Sequence, residues 1–221
     1  LAINDNKTVG NLDIRNYAAA IATLYLDKKT MAKQAKTLNQ AELRKVLDYI
    51  STRKHSARNR AMLMITFLAG MRVAEVASLK FGDVVDIDGN IRNEIRLTPA
   101  MTKGEFARTV FVSERLRKEL EQYIRFYNPT DKTMKFFYSQ RKESNGFNAN
   151  TLTQHFHYLY KRVGIVGASS HSGRRSFISN LAARGIGVRV LMGLAGHRAI
   201  SSTQKYIEIN DNMLRSAVEL A

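Results

Sequence analysis

A chain of 221 residues is long enough to bury a substantial core, and 44% hydrophobic content with only two prolines describes a folded, largely helical protein. Its 35 Lys and Arg outnumber 19 Asp and Glu for a net charge of +16, spread along the chain, which points to a polyanionic partner: nucleic acid ahead of an anionic membrane, because no long basic amphipathic helix stands out. The absence of cysteine excludes disulfides, zinc knuckles and thiolate metal sites; no apolar run is long enough to cross a bilayer, and no signal peptide opens the chain.

Residues 1–36 read as a helix over the Ala/Tyr/Leu-rich stretch 17–26, then a basic linker, DKKTMAKQAK, at 27–36. Asn39 and Glu42 make a capping pair ahead of a helix in which Leu43, Val46, Leu47 and Ile50 share one face. The stretch from Ala57 to Ala69 turns almost continuously apolar and predicts a second helix, its methionines filling core. Gly70 breaks it, and RVAEVASLK at 72–80 starts another short helix. Over 84–97 the periodicity changes to alternation around Asp88-Gly89-Asn90, a hairpin signal, and RTVFV at 108–112 reads as a third strand. From Ser113 helical spacing returns and continues to the end. The predicted fold is α+β and mainly α-helical, with a small antiparallel sheet at one edge and no internal repeat.

The heptapeptide HSGRRSF at 171–177 places His171 and Arg174 three residues apart at the start of a predicted helix, hence on one face. Two cationic groups repel unless an anion lies between them, and a phosphate would supply it. Other polar positions belong in the same comparison: Arg72 with Glu75, Lys103 between two predicted strands, and His197 after a glycine with Tyr206 nine positions on. Singly, each has an ordinary structural reading. Arg72 and Glu75 make an i,i+3 surface pair, Lys103 a solvated loop lysine, His171 a helix cap, His197 a core histidine and Tyr206 packing. His55, His155 and His157 have no carboxylate or thiolate set around them to complete a metal site.

Together these positions form four boxes in order: GMRVAEVASLKFGDV, TKGEFARTVFV, HSGRR and GHRAISSTQKY. Their combination resembles the tyrosine recombinases, the phage-integrase and Xer-like family of site-specific DNA strand-exchange enzymes, over residues 37–210. The resemblance implies the catalytic-domain fold of that family for residues 37–221, with 1–36 as an N-terminal helix or linker segment. Two departures accompany it. Gly173 stands where the family commonly has leucine, and 36 residues are too few for the core-binding domain that most relatives carry, so the chain is expected to be an excised catalytic domain or akin to the short fimbrial-switch recombinases.

By the same resemblance Tyr206 is the nucleophile that forms a 3′-phosphotyrosine, Arg72 and Arg174 grip the non-bridging oxygens, His171 adds a hydrogen bond to the phosphate and assists proton transfer from the nucleophile, and His197 completes the anion cage. Lys103 protonates the departing 5′-oxygen, and Glu75 orients Arg72 or His171. Arg175 is read as a backbone contact or an internal ion pair. The implied chemistry needs no metal, no cofactor and no ATP. The implied partners are double-stranded DNA and a homotetramer that exchanges C-terminal tails, with Met213, Leu214, Val218 and Leu220 as the apolar positions of that tail. The implied setting is the cytoplasm, in a bacterial, phage or mobile-element context. The alternatives are a type IB topoisomerase, which usually has lysine at the position of His171; a non-catalytic DNA-binding module; and, more remotely, a metal-dependent nuclease.

Overall fold

A capping box opens the first helix: Asn39 Oδ1 accepts from the Glu42 N–H at 2.8 Å, and Glu42 Oε2 accepts from the Asn39 N–H at 3.1 Å. That helix, α1 (Gln40–Ser51), buries Leu43, Val46 and Ile50. The computed structural model describes residues 34–140 and 145–207 together with Leu214, Arg215, Val218 and Glu219. The chain divides into two units between Gln34 and Ala35. The helix expected at 17–26 and most of the basic linker lie outside the described residues, as do Met213 and Leu220 of the tail.

Around α2 (Ser56–Leu68) the rest of the second unit is built. Ala61 to Phe67 of this helix are all buried, so it faces neighbours on every side rather than along one stripe. Its neighbours are α1, α5 (Glu114–Ile124) and α7 (Ser172–Ala182). Each fully buried Leu, Met or Ile side chain here contributes roughly 1.5–3 kcal/mol. Short helices α3 (Val73–Ser78) and α4 (Phe81–Val84) follow, and α3 packs on α6 (Ala149–Val163). After α7 come α8 (Val188–Ala195) and α9 (Ile200–Gln204), which pack on each other. No helix among the described residues is long and apolar enough to cross a membrane.

The sheet has two strands where three were expected. β1 (Glu94–Leu97) pairs antiparallel with β2 (Arg108–Phe111), Ile95 opposite Val110. Residues 84–91 supply only a single bridge, Val85 to Ile91. Phe81 and Val84 are both buried at helical spacing, and the Asp83 carboxylate caps the Lys80 N–H, so this stretch begins as a helical turn. Ile87, the apolar residue that alternation would have placed on a sheet face, is 97% exposed at the tip of the turn.

Between α2 and α7 the backbones approach closely at a glycine. A Cβ built on Gly173 would come within 2.1 Å of Thr66 Oγ1 and 2.9 Å of Thr66 Cβ. One turn on, the Phe177 ring lies under Gly70, whose φ of +62° is a left-handed conformation that glycine adopts at no steric cost. Glycine at 173, the departure from the family pattern, is therefore what lets α7 seat directly on α2, and it brings Arg174 to the carbonyl of Gly70 at 2.6 Å. Gly173→Ala is expected to cost about 1–3 kcal/mol by overpacking, measured by denaturant unfolding. Thr66→Ala in the same chain should recover part of the loss.

Candidate active site

Arg72 caps α3, and its side chain and backbone both meet the carboxylate one turn ahead. Glu75 Oε1 accepts from Arg72 Nη1 at 2.9 Å, and Glu75 Oε2 from the Arg72 N–H at 2.7 Å. On its other side Glu75 is gripped by Arg108 of β2, which donates from Nη2 to Oε2 at 2.7 Å and from Nε to Oε1 at 3.2 Å. Glu75 has no exposed side-chain surface. Burial pushes its carboxyl upward, but the bonds and charge of Arg108, then those of Arg72, outweigh that and hold it below the usual carboxylate range.

Arg174 is buried at the first turn of α7. Its Nη1 donates to Gly70 O and its Nη2 to Ala195 O, each at 2.6 Å, and Nη2 also lies 2.9 Å from His197 Nε2. A guanidinium only donates, so Nε2 of His197 is the accepting, unprotonated nitrogen. The proton then sits on Nδ1, which donates to Thr203 Oγ1 at 2.9 Å. Burial first, and then the charges of Arg174, Arg72 and Arg108, lower the His197 pKa to about 4. Burial and the neighbouring Arg72 bring Arg174 itself down to about 9, still charged at neutral pH.

Tyr206 follows α9. Its ring stacks on His197 with centroids 5.7 Å apart and planes 21° apart, and its charge state is felt by Arg174. Ser179 of α7 donates to the Tyr206 carbonyl at 3.2 Å. The Arg175 guanidinium lies 5.3 Å from the centre of the Tyr206 ring, and its Nε donates to Thr37 Oγ1 at 3.1 Å. His171 sits immediately before α7 and is exposed. Its pKa is lowered by burial of part of the ring and by the charges of Arg174, Arg72 and Lys103, so those cations converge on it. Lys103 is exposed on the turn between β1 and β2.

The structure thus brings Arg72, Glu75, Arg174, His197 and Tyr206 into direct contact or charge range, with His171 and Lys103 at the rim. Glu75 bonds Arg72 and Arg108; no bond joins it to His171 among the described residues. Sequence reasoning missed Arg108, whose partner lies 33 positions away, and Thr203. Arg175 packs on the tyrosine ring, which spacing gave no sign of. His155 and His157 stand apart from this cluster: the His155 ring packs between Phe147 and Phe156.

Three guanidiniums, Arg72, Arg108 and Arg174, surround one carboxylate, which leaves two positive charges unbalanced with the histidines neutral. Fold and site together define a mainly helical domain with an arginine-rich cluster beside a tyrosine. The chain belongs to the phage integrase family, whose profile matches residues 36–213. Among curated proteins it is similar to the tyrosine recombinase XerA of Pyrococcus furiosus, 29% identical over 186 residues that cover 84% of this chain and 62% of that protein. XerA of Thermococcus kodakarensis is 30% identical over 190 residues, again covering 84% and 62%. The chain therefore spans about three fifths of the length of these relatives. A crystal structure of XerA recombinase superposes with a TM-score of 0.65 at 26% identity, over 84% of this chain and 64% of that one. The Tn1549 transposon integrase, solved in complex with a circular intermediate DNA, gives 0.67 at 18% identity over 95% and 78%, a likeness of fold.

The depressed histidines predict a pH dependence. An unfolded histidine titrates near ~6.5 and His197 in the fold at about 4, so between those two pH values the unfolded chain binds more protons than the folded one. Stability therefore falls as pH falls through that window. Denaturant unfolding at pH 7, 6 and 5 should show the slope, and His197→Asn should reduce it.

Proposed function

We propose that residues 37–221 form the catalytic domain of a site-specific DNA recombinase, which breaks and rejoins a phosphodiester through Tyr206. The observation that carries this reading is the surplus guanidinium charge held against a tyrosine ring. A phosphodiester carries one negative charge and gains a second as the nucleophile adds. A pocket with two unbalanced positive charges therefore favours the transition state over the ground state.

In the forward step Tyr206 Oη bonds to phosphorus while the bond from phosphorus to the 5′-oxygen breaks. Arg174 has its Nε–H and one Nη1–H uncommitted among the described residues, and with Arg72 it takes the two non-bridging oxygens. A free phenol has a pKa near ~10, and the step needs its proton removed. His171, whose pKa is lowered by burial and then by the charges of Arg174, Arg72 and Lys103, is the group assigned to accept that proton. His197 serves Arg174 and ties it, through Thr203, to the helix that precedes Tyr206. Lys103, on its exposed turn, gives a proton to the departing 5′-oxygen. The phosphotyrosine bond retains the energy of the broken linkage, so attack by a 5′-hydroxyl reseals DNA without ATP.

Support for DNA as the partner comes from the net charge of +16 and from family members solved on DNA, XerH on difH among them. Assembly as a homotetramer with exchanged tails belongs to the same reading: Leu214 and Val218 of the tail are exposed apolar side chains. So do the working setting in the cytoplasm and the assignment of 1–36 to a segment leading into the catalytic domain.

The test uses a random pool of nicked duplexes, in which a cleaved strand loses its short fragment and cannot be resealed. Wild-type chain should retain DNA through denaturing electrophoresis, with the linkage mapped by mass spectrometry to Tyr206. Tyr206→Phe removes one oxygen, so DNA affinity and fold should persist while the adduct disappears. An adduct surviving in Tyr206→Phe, or none from wild type, contradicts the reading.

A further inference from the structure

Arg108 joins three parts of the site and was assigned no chemical role above. It lies on β2, the strand that returns from the Lys103 turn. Two of its nitrogens grip Glu75, and its Nη1 donates to Leu194 O at the end of α8, at 2.9 Å. Its aliphatic stem fills the space over Gly196, where a Cβ would come within 2.5 Å of Arg108 Cδ. Gly196 has φ +60° and precedes His197, and its carbonyl accepts from Arg72 Nη2 at 3.2 Å. The Arg108 side chain is only 9% exposed, and its Nε, Nη1 and Nη2 each donate to a protein oxygen.

We propose that Arg108 is the positioning residue of this site. It fixes Arg72 through the shared Glu75 carboxylate, and it ties the Lys103 hairpin to the segment that carries His197. Because each of its three nitrogens is committed to a protein acceptor, its contribution lies in preorganisation. A guanidinium already aimed at the developing charge needs no rearrangement when the reaction occurs, whereas a loose one does. Two chemical features make arginine specific here. The planar fork matches both carboxylate oxygens at once, and the third nitrogen reaches the α8 carbonyl; a lysine ammonium supplies the charge without that geometry.

The carboxylate also gives the arrangement a pH signature. Glu75 is fully buried, so without Arg108 the desolvation that pushes its carboxyl upward is opposed by Arg72 alone. Its pKa rises, and as pH falls the carboxyl takes a proton and releases Arg72. In wild type, with both arginines present, the carboxylate stays ionised to lower pH.

This proposal rests on the recombinase reading, and the experiment separates the two. The wild-type chain, Arg108→Met and Arg108→Lys are compared on a duplex recovered from the wild-type covalent pool. Adduct formation rate is measured from pH 5.5 to 9, alongside DNA affinity and unfolding midpoint. Arg108→Met should form adduct about a hundredfold more slowly, with DNA affinity within about twofold of wild type. The acid limb of its rate profile should lie at higher pH than in wild type. Arg108→Lys should return that limb toward wild type while recovering only part of the rate. Arg108→Met with a wild-type rate, or with a rate loss that matches its loss of folded protein and an unmoved pH profile, overturns the proposal alone. No adduct from wild type removes the recombinase reading and this proposal with it.

Discussion

A carboxylate with no exposed side-chain surface, held between two guanidiniums, is the constraint on which the rest of the site depends. Glu75 comes from α3, Arg72 from the cap of the same helix, and Arg108 from β2. A buried ion pair offsets its desolvation only when its geometry is good and its remaining hydrogen-bonding capacity is used. Here both carboxylate oxygens accept two bonds each, from the Arg72 side chain and backbone and from two Arg108 nitrogens. Break one partner and the carboxylate becomes a buried charge with too little compensation, and the loop that leads to His197 loses its anchor as well.

Arg174 enters from a different direction, and packing rather than charge brings it in. Gly173 against Thr66 and Gly70 over Phe177 seat α7 on the central helix, and the carbonyls of Gly70 and Ala195 then fix the guanidinium. Backbone carbonyls orient an arginine without neutralising it. The pocket therefore gathers a third full positive charge for a single carboxylate. Burial, and then these charges, lower the pKa of both histidines on its margin, and His197 serves as an acceptor for Arg174. Guanidiniums gathered in this way repel one another, and in the proposed reading the phosphate relieves that repulsion.

Much of this was legible in the sequence because it was written locally. The Asn39–Glu42 capping pair, the apolar run of α2 and the Ser113 start of α5 each rest on residues a few positions apart. The four family boxes are local in the same sense. The first strand of the expected hairpin failed because alternation around Asp88-Gly89 competed with the helical turn at Phe81–Val84, and burial of Phe81 and Val84 decided it. Arg108 and Arg175 were hidden for another reason. Their partners, Glu75 and Thr37, are 33 and 138 positions away, and nothing in either residue's surroundings distinguishes it from the other basic positions of the chain. Gly173 was visible as a departure, but its cause, Thr66 on the opposing helix, is a fact of packing.

In the proposed reading the surplus guanidinium charge is a site for one phosphoryl group. Orthovanadate, an oxyanion that readily takes the five-coordinate geometry of a reacting phosphorus, tests it without any knowledge of the DNA target. Calorimetric titration into the wild-type chain should give a single site, weakened roughly ten- to a hundredfold in Arg174→Met, the loss expected for charge-assisted hydrogen bonds. Vanadate binding that is unchanged in both Arg174→Met and Arg72→Met would contradict the account.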